Sequence, residues 1–315
     1  MTGDLAAALP TLRSAATFLI GVAATLAVLK APGSGDASSQ TSPDAVRPAG
    51  ESSRTDDASA LIGLLGSDDY GVRRRAEEEL VRHGAEAFDA LKRAADHSDL
   101  EIAQRANYIL HKIEIEWVRD DDSPAAAAIL FGYADLAEEG RLDRIRRLGR
   151  LPGPSRVAPL CRIARFESST LLSRQAAVEV LEFDWQGADP AVAEVAFAAC
   201  QRELGTSERP AVQWLRLFSR ERTSPAAVAE PWADVVDAEI ELLRQGGEET
   251  SGSIALALLR HQLQLCDRLQ LSDSIDAALG RVIEIIGSKR NQRIGGLYYT
   301  LRLIIDEQMW HVLSR

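Results

Sequence analysis

The chain has 315 residues, of which 46% are hydrophobic and 26% charged, and its formal charge is −11. That is enough for one large or two ordinary domains with a sizeable core. The acidic balance argues against general nucleic-acid binding, which wants a net basic surface. Three cysteines, Cys161, Cys200 and Cys266, are odd in number and far apart in sequence. They make neither a disulfide framework nor a zinc site and read as small core residues. Ala, Leu, Glu and Arg dominate, Val and Ile fall mainly at helical spacing, and no hairpin dipeptide separates alternating runs. The expected fold class is therefore all-α.

Residues 1–13 make a short leader charged only at Asp4 and Arg13. Residues 14–30 follow, with sixteen uncharged positions from Ser14 to Leu29 between Arg13 and Lys30. A full span needs about 20 residues and roughly 17 at the least. The run fits a single-pass transmembrane anchor, more comfortably if residues 9–12 extend it. It also fits the apolar core of a cleaved signal peptide, although Lys30 stands where a small–x–small cleavage site would follow. A buried helix is the third reading. The anchor is the expectation, giving a membrane protein tethered through this helix with its bulk outside the cytoplasm. The few flanking cations barely choose an orientation. Residues 31–57 are rich in Ser, Pro, Gly, Asp and Thr without apolar periodicity, and read as a disordered linker.

Residues 58–186 are organised around a stretch written twice, thirty residues apart. Asp69 falls on Asp99, Val72 on Ile102, Arg75 on Arg105, Ala76 on Ala106 and Leu80 on Leu110. Within each copy the apolar residues stand four apart, on one face of a helix. Asp69 and Asp99 precede the helices as N-caps, and Gly84 follows the first as its C-terminal stop. Second apolar helices are expected over residues 58–65 and 85–95. A helix pair repeated at about thirty residues signals a stacked array. In-register Arg75 and Arg105 suggest a structural ladder with Asp69 and Asp99.

The pattern Asp–x–x–Val–Arg–x–x–Ala–x–x–x–Leu, carried by Asp69, Val72, Arg73, Ala76 and Leu80, resembles the short HEAT-type repeats first described in phycobilisome lyases. The likeness covers residues 58–116 and, more loosely, 141–183. The second copy departs from it, since Ala103 stands in place of the first Arg. The resemblance implies an α-solenoid that binds other proteins. Lyase chemistry belongs to a few members, and no residue here matches it.

Residues 114–118 are expected to extend the second repeat helix, with Trp117 packing across the next pair. Asp120, Asp121 and Asp122 lack the alternate spacing and Gly of a calcium loop and read as a solvated helix stop before a cap at Asp122 or Ser123. Further helices are expected over residues 125–139, ended by Gly140, then 141–150, 155–166 and 171–181. The last is a degenerate third repeat carrying Leu172, Ala176 and Val180. From residue 187 to 315 the thirty-residue register is lost. Helices remain legible over 190–204, 209–220, 226–244, 253–269, 274–286 and 293–314, the third starting at Pro231 if that proline breaks it. This part is either a helical continuation or a C-terminal domain, with a boundary near residues 183–189.

Arg141, Arg144, Arg146, Arg147 and Arg150, with Arg156, Arg162 and Arg165 just beyond, form the one basic excess in an acidic chain. Such asymmetry points to a binding surface for an acidic protein segment or anionic lipid, or to a solvated face paired with nearby acids. Arg73, Arg74 and Arg75 face Glu77, Glu78 and Glu79 at helical reach and read as local ion pairs. The histidines show no His–x–x–x–His or His–Glu–x–x–His spacing, and no nucleophile elbow or phosphate loop is present. No metal, cofactor or catalytic residue is expected. The leading expectation is a non-catalytic, membrane-tethered HEAT-repeat scaffold for another protein of unknown identity. The alternatives are a lyase-like HEAT enzyme or enzyme subunit, and a self-assembling structural envelope protein.

Overall fold

The structure is a computed structural model that describes residues 49–185, 187–246 and 251–286. The apolar run at 14–30, most of the linker expected over 31–57 and the helix expected over 293–314 lie outside these residues. Among the described residues the fold is all-α, and no helix is long and apolar enough to cross a membrane.

The helices are α1 (Ala49–Leu64), α2 (Tyr70–His83), α3 (Phe88–Ala94), α4 (Leu100–Lys112), α5 (Pro124–Leu130), α6 (Glu138–Gly149) and α7 (Val157–Phe166). They continue with α8 (Thr170–Leu181), α9 (Pro190–Leu204), α10 (Pro210–Glu221), α11 (Pro225–Gln245), α12 (Gly252–Arg268) and α13 (Ser272–Ile286). Consecutive helices pack in pairs, α1 with α2, α3 with α4, α7 with α8 and α11 with α12. Second helices also meet one another: α2 touches α4, and α8 touches α6, α10 and α12.

The duplicated stretch forms α2 and α4. Asp69 Oδ1 accepts from Gly71 N at 2.6 Å and Val72 N at 3.3 Å, and Asp99 Oδ1 accepts from Glu101 N at 2.9 Å. Each carboxylate thus satisfies amides that the first turn leaves without partners. Gly84 ends α2 at φ +56°, a conformation open to glycine and costly for other residues. Ala76, Leu80, Ile102 and Ala106 are buried, and Val72 is half-buried. In the second copy Ile109 takes the fully buried position, while Leu110 packs from the side.

The Asp–Arg ladder is not what joins the copies. Arg105 turns to Glu101 at 2.6 Å and to Glu77 at 3.7 Å, and Lys112 also reaches Glu77, at 3.2 Å. Arg75 is exposed. Arg73 makes the cross-link instead, donating to the carbonyls of Ser67 and Asp68 and standing 3.8 Å from Glu101. The Asp caps are spent on amides, so Glu77, two turns into α2, is the acid left to meet α4. Arg74 does pair with Glu78, at 3.0 Å.

Several expected boundaries moved for local reasons. Helix α1 starts at Ala49, inside the stretch expected as linker. Residues 114–118 are not helical; Ile113 is already extended at ψ 121°. The alternation Ile113, Glu114, Ile115, Glu116, Trp117 explains this, because extended backbone sends every second side chain to one face. Ile113 and Ile115 pack on the core of α1–α4, and Trp117 and Val118 on the core that follows. The helix expected over 125–139 breaks at Gly132, which sits in the left-handed region at φ +66°, and Gly140 lies inside α6. Helix α11 runs through Pro231, because Val228 and Trp232, four apart on its inner face, are both buried against neighbours. The two hydrophobic cores divide between residues 113 and 126. No division occurs near residues 183–189, where one core continues from Ala126 to Ala278.

Candidate functional site

The basic cluster is mostly internal. Arg162, on α7, is 0% exposed; it donates to the Trp117 carbonyl at 2.6 Å, Asp122 at 2.8 Å and Glu203 at 3.2 Å. Asp122 is therefore a buried partner and not a solvated stop, while Ser123 caps α5 through the Ala126 amide. Arg165 pairs with Asp89 at 2.9 Å and reaches the Glu203 carbonyl at 3.2 Å. Arg141 meets the buried Glu167 at 2.6 Å, and the Tyr133 hydroxyl donates to the same carboxylate at 2.6 Å. Burial, then Glu167, pushes the Tyr133 phenol far above its ordinary value. Arg144 donates to the Ile129 carbonyl at 3.0 Å, and Arg156 to that of Gly149.

A shared cause runs through the contacts that Arg144, Arg156 and Arg165 make with the carbonyls of Ile129, Gly149 and Glu203. Helix ends leave carbonyls without intrahelical partners, and a guanidinium offers five donors at the tip of a long stem. The arginines are drawn to those ends. What remains outward is Arg146 and Arg147 on α6 and Arg150 just past its end, with Arg147 3.9 Å from Asp143. Of the candidate binding residues, then, the fold separates Arg141 and Arg144 from the other three.

Cys161 and Cys200 meet in the core between α7 and α9. Burial, then the hydrogen bond with Cys200, pushes the Cys161 thiol well up, which leaves it a poor nucleophile. Among the described residues no group of three or more His, Cys, Asp and Glu side chains is placed to hold a metal ion.

A cleft of about 570 Å³ opens where α8, α10 and α12 converge, its outer lip being the connection from α8 to α9. Such volumes suit small ligands or a few side chains. At its floor lies Glu221, the last residue of α10, with its side chain 5% exposed. Three donors hold its two oxygens: Trp232 Nε1 at 2.9 Å, His261 Nε2 at 2.8 Å, and the Arg268 guanidinium. Burial by itself would raise the Glu221 carboxyl, but His261 and Arg268 outweigh it and hold the group below the usual carboxylate range. Phe218 and Trp232 flank the His261 ring at 5.5 and 4.6 Å. Trp185 and Phe218 supply apolar wall, and the exposed Glu182 and Asp184 form the lip.

A depressed carboxyl stabilises the fold above its unfolded pKa, and that contribution is lost as pH falls through the folded value. Glu221→Gln should therefore cost about 2 kcal/mol near neutral pH, the scale of a hydrogen-bonded buried charge. The gap between variant and parent should narrow as the pH drops below the usual carboxylate range. Urea unfolding at a series of pH values checks this, and a gap constant down to pH 3 would contradict it.

Sequence reading passed over this set. The one available signal was His261, a polar residue among Leu258, Leu259 and Leu263 on α12. Its partner lies forty positions away on another helix, a distance that no local pattern spans. In comparisons with known proteins, no family model and no curated protein matches this chain.

Proposed function

We propose that the protein is a membrane-tethered α-solenoid of HEAT-type helix pairs that binds another protein and performs no chemistry of its own. The observation that carries this reading is the duplicated stretch. Both copies open on an Asp cap, both form second helices of a pair, and these helices lie side by side. Stacked pairs of this kind present an extended face to a partner. The uncharged run at 14–29 is the anchor and residues 31–57 the tether, with the bulk of the chain outside the cytoplasm.

The test is a crosslinked pull-down from native membranes, comparing the full-length chain with a variant lacking residues 14–30. A partner captured by the parent, and lost to the soluble fraction with the variant, is the expected result. Substrate turnover by the purified protein that depends on a named acid or base would overturn it.

A second reading, a lyase-like enzyme or enzyme subunit, has the cleft in its favour, because Glu221 and His261 form a carboxylate–histidine pair facing a cavity. Its described lining contains no Ser, Thr, Cys or Lys, and a water activated by His261 is the nucleophile this reading takes. Turnover abolished by His261→Gln in a folded protein would favour this reading.

A further inference from the structure

We propose that the cleft between α8, α10 and α12 is the docking site for an arginine side chain on an extended segment of the partner protein. This rests on the scaffold reading and names the chemistry of its partner.

The floor shows which chemistry it takes. Glu221 is almost wholly buried, yet one of its oxygens is closed by a side chain from the rim: Arg268 is 46% exposed, against 5% for Glu221. A buried carboxylate needs a cation and hydrogen bonds, and here the fold fills that position with a guanidinium reaching in from solvent. An incoming arginine can take the same place, like for like, while Trp232 and His261 keep the other contacts to Glu221.

The approach is arranged for the same charge. Glu182 and Asp184 stand exposed on the lip, and Asp184 is fixed there by the Gly187 amide at 2.7 Å. Arg156 and Arg260 lie near the lip and cavity, so the local field is mixed, and the exposed carboxylates of Glu182 and Asp184 are what an incoming guanidinium meets first. The walls offer Trp185 and Phe218 to the aliphatic stem of the guest. The site lies where second helices of successive pairs meet, which places it on a face that stacked pairs share.

The experiment uses the full-length chain in detergent micelles, titrated with acetyl-Gly-Arg-Gly-amide and followed through the indole NMR signals of Trp185 and Trp232. The lysine and all-glycine counterparts serve as comparisons. The arginine peptide should move both signals, with the glycine peptide silent and the lysine peptide several-fold weaker. Glu182→Gln with Asp184→Asn, both exposed and safe for folding, should weaken binding about tenfold, the loss expected when 1.4 kcal/mol of attraction is removed. Arg268→Ala should tighten it, because the guest no longer competes with a resident cation.

Equal response to the glycine peptide, no response to any peptide, or indifference to both sets of variants would overturn the inference. Failure here alongside a partner captured from membranes leaves the scaffold reading standing. Arginine binding with no partner captured supports the site and counts against the scaffold.

Discussion

Arg162→Met should be the most damaging single change in this protein, lowering stability by about 3–5 kcal/mol, the usual cost of leaving a buried charge without its partner. Arg162 is 0% exposed, and Asp122 and Glu203, its partners, are 1% and 3% exposed. Removing the guanidinium leaves two carboxylates in the core, where neither water nor another buried cation can replace it. Arg119 reaches Glu203 at 2.7 Å, but from a position that is 38% exposed. Removing the guanidinium also frees the Trp117 carbonyl, in the extended stretch that follows α4. For a folded region of this size the shift corresponds to roughly 10 °C in Tm. Changing Asp122 to Asn and Glu203 to Gln in the same molecule should recover part of the loss, because the charges that lack a partner are then gone. Thermal unfolding of the single and triple variants measures this. A triple variant no more stable than the single one would mean that the arginine acts by filling space and not by its charge.

Gly205→Ala should cost far more than Gly84→Ala, although the two glycines share a backbone conformation. Gly84 sits at φ 56°, ψ −132° and Gly205 at φ 51°, ψ −138°. The strain of placing an L-residue there, about 1–3 kcal/mol, is therefore common to both. The surroundings differ. A methyl at Gly84 meets nothing within contact distance, whereas at Gly205 it runs into the guanidinium of Arg165. Arg165 cannot yield freely, since it holds the buried Asp89 of α3 and the Glu203 carbonyl of α9. Displacing it cuts the ion pair that joins the two hydrophobic cores, beside the contact of Phe88 with Phe166 at 5.2 Å. We expect Gly205→Ala to cost about 3 kcal/mol more than Gly84→Ala, the scale of a broken buried pair. Chemical denaturation of both variants checks it, and equal losses would show that Arg165 swings away at little cost.

The comparison of these residues also shows where sequence reading stops. The caps Asp69, Asp99 and Ser123, the glycine at 84 and the span of α9 were legible because each depends on neighbours within one turn. Gly140 was read as the helix stop and Gly132 was passed over, because nothing local in the pattern separates two glycines eight residues apart. Only the folded chain places one at positive φ and the other inside a helix. Whether Pro231 breaks α11 was left open for a related reason, and burial of Val228 and Trp232 on either side outweighs the lost hydrogen bond.

The arginine cluster shows the same limit more sharply. In the sequence, eight cations in 25 residues read as a surface. In the fold, Arg162, Arg165, Arg141, Arg144 and Arg156 each reach a carbonyl or a buried acid, and the acids of Arg162 and Arg165 lie forty or more positions away. The sequence alone determined the helical class, the duplicated pair and its caps, because apolar periodicity and capping are short-range. Tertiary structure alone decided which charges are buried, where the two cores part, and that Glu221, Trp232, His261 and Arg268 converge beneath one cleft. The physical reason is that desolvation and ion pairing depend on what approaches through space, and chain separation carries no record of that.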